Sequence, residues 1–279
     1  MPINKIVASF DEAVADIEDG AVIMVGGFGT VVSIPTLLLE ALDRKGVKNL
    51  TTVSNTTGFG ADVWRMQGAP FPEDMDILVR NGRIKKAIVS APVSALYVNN
   101  FEKLLRAGKV KIEMVPQGTL AERVRAARAG LGGVYVPVGV GTVMEKGKEK
   151  KTIGGREYLL ELPIKADFAL IHAHKGDRWG NLVYRGTSRT FNPTMAGAAK
   201  VTIAEVDEIV ELGELDPEVI VTPGVYVDRV VARPKIAPAE EPSEEVETAD
   251  AQAIESRRRF QAEIEDVIKA AKERGLRHE

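Results

Sequence analysis

Gly26-Gly27-Phe28-Gly29, Ser54-Asn55-Thr56-Thr57-Gly58 and Pro116-Gln117-Gly118-Thr119 each follow a short apolar run. Together they carry groups that can hold the oxygen atoms of a reacting acid. Glycines let backbone N–H groups approach a ligand closely, and a following helix N-terminus favours anions. Asn55 can donate and accept at once, which suits a carboxylate or carbonyl oxygen. Gln117 offers an uncharged amide to an oxygen on which negative charge develops. Each segment taken alone also fits a plain turn: a strand-to-helix turn at the glycines, an Asx turn at Asn55, a surface turn at Gln117. The glycine run is not G-x-G-x-x-G and no Lys-Ser/Thr pair follows it, so neither nucleotide-binding fingerprint applies.

Other residues offer different chemistry. His172 and His174 alternate along an apolar run, so both rings can face one side of a strand and chelate. Asp177 is the nearest third ligand, and a zinc site needs three or four placed ligands. The expectation is therefore structural histidines and no metal. Trp64, Trp179, Phe28 and Phe59 suit a pocket wall, a lid or core packing. The chain has no cysteine, which removes disulfides, thiolate catalysis and Cys-based metal sites. Its 37 basic and 40 acidic residues give a net charge of −3, so no broad basic surface for nucleic acid is expected.

The elements that must position these groups alternate between strand and helix. Ala21–Val25 is a fully apolar run, as in a buried parallel strand. Val7, Val14 and Ile17 fit one face of a first helix, with Ser9 or Asn4 as caps. Pro35–Arg44 reads as a helix with proline at its first position and Gly46 at its end. Leu50–Val53, Ala87–Ser90 and Lys111–Val115 read as strands. Glu102–Ala107 and Leu120–Ala129 read as helices, stopped by Gly108 and Gly130. After a strand beginning at Val134, the segment Met144–Leu162 changes character. Its charged run Glu145–Lys151 reads as a solvated hairpin tip, and Gly154-Gly155 as a tight turn in an antiparallel excursion. Asp167–His172 and Lys200–Val206 return to apolar strands. The alternation predicts an α/β domain with an open, mostly parallel sheet.

At 279 residues the chain can bury a sizeable core. Composition shifts near Pro234. The expected organisation is one domain over 1–234, a Pro/Glu/Ala-rich linker over 235–249, and an amphipathic helix over 250–279 carrying Ile254, Phe260, Ile264, Val267, Ile268 and Ala271. The first 20 residues lack the basic start and apolar run of a signal peptide, and no apolar run approaches the roughly 20 residues that span a bilayer. A cytoplasmic protein without membrane contact is the expectation.

Taken together, the segments resemble the α subunit of class I (family I) coenzyme A transferases, of the succinyl-CoA:3-oxoacid type. The match is strongest at Pro116-Gln117-Gly118-Thr119-Leu120-Ala121-Glu122-Arg123 and Pro137-Val138-Gly139-Val140-Gly141-Thr142. It continues at Ala166-Asp167-Phe168-Ala169-Leu170, Asp177-Arg178-Trp179-Gly180-Asn181-Leu182-Val183-Tyr184-Arg185 and Phe191-Asn192-Pro193. Thr222-Pro223-Gly224-Val225-Tyr226-Val227-Asp228-Arg229 follows, and the resemblance covers about residues 3–233. It implies the CoA-transferase type of sheet and a transfer of coenzyme A between an acyl-CoA and a 3-oxo or short-chain carboxylic acid. A glutamate carboxylate attacks the thioester and passes through an anhydride to a glutamyl-CoA intermediate. In the family that glutamate belongs to the β subunit, in a Ser-Glu-Asn-Gly setting absent here. The resemblance therefore implies no catalytic residue in this chain and a β-subunit partner in an α2β2 assembly. It also implies no permanently bound cofactor, with CoA and acyl-CoA as substrates.

By the same match, Gln117 would approach the reacting carbonyl, with Gly118 beside it. Asn55 would bind the acid, and Gly26, Gly27, Phe28 and Gly29 would shape the loop. The chain departs from the family pattern in three places. The glycine loop is one residue longer before Pro35, Ser54-Asn55-Thr56 lacks a second asparagine, and Trp64–Arg80 is longer and different. All three lie where the acid should sit. An acyl-CoA hydrolase subunit, or a non-catalytic acyl-CoA or carboxylate binder, would use the same scaffold. A sugar-phosphate isomerase-like protein fits less well, because no basic phosphate clamp stands near the glycines.

Overall fold

The computed structural model describes residues 3–28, 33–65, 69, 71–93 and 98–235. All of these but Lys235 belong to a compact unit that ends at Pro234. The expected linker beyond Lys235 and the expected helix 250–279 lie outside the described residues, as does Gly29.

The main sheet has eight strands. In chain order they are β1 (Val22–Val25), β2 (Leu50–Thr56), β3 (Ile84–Ala91), β4 (Lys111–Met114), β8 (Ala166–Asp177), β9 (Leu182–Val183), β10 (Ala199–Val210) and β11 (Arg229–Ala232). Their order across the sheet is β11-β10-β8-β1-β2-β3-β4, all parallel, with β9 antiparallel on the tip of β8. The first four strands are laid down in one direction from β1 and the later ones in the other. The reversal falls between β1 and β8, and in such sheets ligands bind outside the carboxyl ends of the strands at that point.

Side chains alternate between two cores, as the period-2 geometry of a strand requires. Ile23, Val25, Leu170 and Ile203 face a core that also holds Ala13, Leu38, Leu42, Leu78 and Phe101. Helices α1 (Phe10–Ala13), α2 (Thr36–Lys45), α4 (Asp76–Arg80) and α5 (Asn100–Arg106) supply those last residues. Met24, Ala169, Ile171 and Ala204 face the other core, with Leu120 and Val124 of α6 (Gln117–Arg128) and Met195 of α7 (Asn192–Met195). Parallel strands buried on both faces explain why these segments read as unbroken apolar runs.

Local chemistry sets the element ends. Ser9 caps α1 through a hydrogen bond from the Glu12 N–H to its Oγ at 3.1 Å. Helix α1 is one turn long rather than reaching Ile17, yet Val14 and Ile17 are still buried. Asn99 caps α5 by accepting from the Glu102 N–H at 2.8 Å. Pro35 precedes α2 as its cap, one position earlier than expected, and Gly46 ends it at φ 82°. The short α3 (Ala61–Arg65) and α4 stand at the two ends of the Trp64–Arg80 stretch, for which the sequence pattern predicts no element.

The excursion is a separate three-stranded antiparallel sheet, β5 (Val134–Val136), β7 (Arg156–Glu161) and β6 (Lys150–Ile153). Its tight turn is Gly154-Gly155, between β6 and β7. The charged run 145–151 is not the hairpin tip: a 3-10 turn, Val143–Glu145, opens it, and its last two residues are already in β6. Antiparallel pairing gives its lysines glutamate neighbours, such as Lys150 with Glu157 at 3.2 Å.

Candidate active site

Strand β1 ends directly in the glycines. The Gly26 N–H donates to the Leu170 carbonyl at 2.9 Å, extending the β1–β8 ladder by one bond. A Cβ on Gly26 would lie 1.8 Å from Asn192 Oδ1, so Asn192 excludes any larger residue there. Gly27 adopts φ +103°, and a Cβ there would lie 2.8 Å from Ile34. The two glycines thus serve close packing and a left-handed turn. Phe28, which follows, is 44% exposed. Its ring stacks on Phe191 with centroids 6.5 Å apart.

From the edge of the same sheet, β4 leads through Val115-Pro116 into α6, so Gln117 and Gly118 occupy the first helical turn. No side chain caps that turn. Its unpaired N–H groups and the helix dipole favour negative charge beside Gln117. Arg128, at the other end of α6, donates to the Pro193 carbonyl at 2.7 Å and ties the helix to α7. The result is a cleft of about 320 Å3 lined by Phe28, Gln117, Ala121, Thr190, Phe191 and Thr194. Two aromatic rings form its apolar wall, and an amide and two hydroxyls form its polar side. A Cβ on Gly118 would touch nothing within 4 Å.

Asn55 does not join this lining. It lies within β2 rather than in a following turn, is 5% exposed, and its Oδ1 accepts from Ser90 Oγ of β3 at 2.8 Å. Trp64 is buried, with its indole N–H on Asp74 Oδ2 at 2.7 Å and its ring edge-on to Phe59. It therefore packs α3 rather than walling the cleft. Trp179 stands exposed on the turn after β8.

His172 and His174 share one carboxylate, which is not Asp177. Both Asp177 oxygens are taken by Trp179 and Asn181. Instead, Asp207 of β10 meets His172 Nε2 at 2.8 Å and His174 Nδ1 at 3.2 Å. Burial pushes the Asp207 carboxyl up, but hydrogen bonds from both histidines and the nearby charges outweigh this and hold it below its usual range. Arg233 lies 3.3 Å from Asp207 and also pairs with the fully buried Glu205. The other Glu205 oxygen accepts from the Leu38 N–H at 3.0 Å and caps the start of α2. Among the described residues no group of His, Asp and Glu is arranged to hold a metal ion.

Sequence reasoning named Asn192 within a matching motif but gave it no role, and gave none to Thr190, Asp207, Glu205 and Arg233. A signal existed for two of them. Glu205 and Asp207 alternate on one strand as His172 and His174 do on another, and the register sets Glu205 opposite His172.

The family model for coenzyme A transferase matches residues 7–233 of this chain. The chain belongs to the coenzyme A transferase family. It is 50% identical to the A subunit of 3-oxoadipate CoA-transferase from Pseudomonas putida, over 82% of this chain and 94% of that one. It is 42% identical to the A subunit of succinyl-CoA:3-ketoacid coenzyme A transferase from Helicobacter pylori, over 82% of this chain and 92% of that one. Among solved structures, glutaconate coenzyme A-transferase from Acidaminococcus fermentans superposes with a TM-score of 0.66 at 26% identity, covering 82% of this chain and 76% of that one. The family match carries the transferase class with it, and CoA is its substrate rather than a resident cofactor. Among the described residues no helix is long and apolar enough to cross a membrane.

Proposed function

We propose that this chain is the α-type half of a heteromeric CoA-transferase that moves coenzyme A from an acyl-CoA to a 3-oxo or short-chain carboxylic acid. The observation that carries the reading is the lining of the switch-point cleft. Among the described residues it holds an amide, hydroxyls and aromatic rings, with no carboxylate, imidazole or thiol. Such a wall can polarise and orient a carbonyl, but its hydroxyls have no base among the described lining residues to activate them for attack. A partner β chain supplies the attacking glutamate across the mouth of the cleft, in an α2β2 assembly in the cytoplasm.

The exchange then balances. The partner's carboxylate adds to the thioester carbonyl and expels CoA thiolate, leaving an acyl-glutamyl anhydride. The thiolate attacks the glutamyl carbonyl, releasing the first acid and forming glutamyl-CoA. The second acid attacks that thioester and expels CoA thiolate again. The thiolate then takes the new acyl group and restores the glutamate. Each tetrahedral stage places negative charge on a carbonyl oxygen. Gln117, on the uncapped turn of α6, meets that charge, with Gly118 leaving room for the partner or the CoA chain. Phe28, Gly26 and Gly27 shape the wall opposite.

Co-expression with the β chain, followed by an acyl-CoA and acid panel, tests this reading. CoA should pass to the acid only when both chains are present. Exchange by this chain alone would overturn the division of labour. CoA release at the same rate without any acid would make the complex a hydrolase.

A further inference from the structure

Thr190 occupies a backbone conformation that its side chain opposes. Its φ is 40° and its ψ is −131°. A β-branched residue at positive φ is an outlier, maintained only where its surroundings impose it. Here they do. Asn192 Nδ2 donates to the Ser33 and Ser188 carbonyls at 2.9 and 3.1 Å and to Thr190 Oγ1 at 3.4 Å. Asn192 Oδ1 takes the His172 N–H at 3.0 Å, and the Ser188 hydroxyl closes back on the Arg185 carbonyl. The segment is held on both sides of the strained residue.

Glycine would adopt this conformation without cost. What threonine adds is a methyl group and a hydroxyl on the wall of the cleft shared with Gln117 and Phe28. That hydroxyl accepts from Asn192 and donates to no group among the described residues. Its proton is therefore available to an acceptor in the cleft.

We propose that Thr190 is a specificity-determining residue whose hydroxyl donates a hydrogen bond to the 3-oxo oxygen of the acid substrate. This rests on the transferase reading above. Gln117 meets the reacting carboxyl, and Thr190 meets the oxygen two carbons further along, so a 3-oxo acid engages both donors and an unsubstituted acid only one. Asn192 is a positioning residue that holds Thr190 in place.

The test uses the full-length chain in complex with its β partner. Thr190→Val keeps the shape and the β-branch while removing the hydroxyl, and Thr190→Ser keeps the hydroxyl. For each, kcat/KM is measured with a 3-oxo acid and with the unsubstituted acid of equal length. For Thr190→Val the preference for the 3-oxo acid should fall by about threefold to tenfold, the worth of one neutral hydrogen bond. For Thr190→Ser the preference should stay near the wild-type value. An unchanged preference in Thr190→Val, or equal losses with both acids, would overturn the proposal and leave Thr190 a structural residue. Wild-type complex that transfers CoA to no acid would instead overturn the transferase reading itself. Should Thr190→Val fail to assemble, Thr190→Gly serves the same comparison, with the same loss of preference expected and an unchanged one again fatal.

Discussion

Two polar clusters stand at the carboxyl end of the same sheet, on its opposite faces, and they differ in what their polar atoms face. On the α2 side, Glu205, Arg233, Asp207, His172 and His174 spend their hydrogen bonds on one another, on the Leu38 N–H and on the Ile34 carbonyl. On the α6 side, Gln117, Thr190 and Thr194 line an open cleft. The first cluster is the richer in titratable groups and looks more like an active site in a residue count. Apart from the buried His172 Nδ1, which has no partner among the described residues, its groups are committed to joining β8, β10, α2 and the end of the chain's compact unit. The second has only neutral groups among the described residues, and apart from the bond that Thr190 Oγ1 accepts from Asn192 they are uncommitted there. Chemistry at this sheet belongs where polar atoms lack protein partners, and stability where they have them.

Mutations on the committed side should act mainly on stability. Glu205→Ala leaves Arg233, 10% exposed by its side chain, beside an emptied site and the first turn of α2 uncapped. Breaking a buried pair from one side costs about 3–5 kcal/mol. Denaturant titration should show that loss. A change under about 1 kcal/mol would mean the pair is not truly buried.

Gly26→Ala comes next, since its Cβ must displace the Asn192 side chain. Overpacking of this kind costs about 1–3 kcal/mol. Adding Gly26→Ala to an Asn192→Ala background should cost much less than adding it to wild type. If the two costs are equal, the clash is not what makes position 26 a glycine. On the cleft side, Gln117→Ala should lower kcat by about 10²–10³-fold in the reconstituted complex, as for loss of one oxyanion donor, with little change in melting temperature. Unchanged turnover would remove Gln117 from the site. The neighbouring Gly118→Ala meets no protein atom. It should stabilise α6 by up to about 1 kcal/mol and leave the chain's fold intact. A fall in activity with that gain would locate the substrate or the partner against Gly118.

The difference between the two clusters also explains what can be read from the residues in order. Strands β1, β2, β3, β4, β8 and β10 are legible, because burial on both faces leaves an unbroken apolar run. The Gln117 turn is legible because proline and glycine punctuate it. The committed cluster is not, because its contacts join Leu38 to Glu205 and Ile34 to Arg233, across most of the chain. Parallel register brings such residues together, and no local pattern encodes it. The same gap makes Asp177 the sequence's candidate partner of the histidines, when a strand neighbour supplies Asp207. Asn55 reads as a turn residue because Ser, Asn and Thr favour turns, but pairing of β2 with β3 carries the strand through them to Thr56. Thr190 is hidden for another reason: its strain is imposed by Asn192, and nothing in Ser-Arg-Thr-Phe announces it.

The smallest expected effect sets the committed Asp207 against a carboxylate outside both clusters, by pH. Asp207 has a native pKa held below its unfolded value by its histidine and arginine neighbours. A group of that sign contributes stability above its unfolded pKa, about 3.9, and loses it as pH falls through the lower native value. Asp207→Asn should therefore cost stability at neutral pH and nothing in strong acid. Its side chain is 39% exposed, so solvent screening limits the cost to about 1 kcal/mol or less. Asp76, at the start of α4, has the opposite sign, since burial raises its pKa against the help of Asn100 and Arg80. Ionised Asp76 works against the fold, so Asp76→Asn should be better tolerated at neutral pH than in acid. Stability curves of the two variants from about pH 3 to about pH 8 should therefore diverge from wild type in opposite directions. Parallel curves would mean that neither carboxylate is held as its neighbours require, and Asp207 would lose its place among the groups that stabilise the committed cluster.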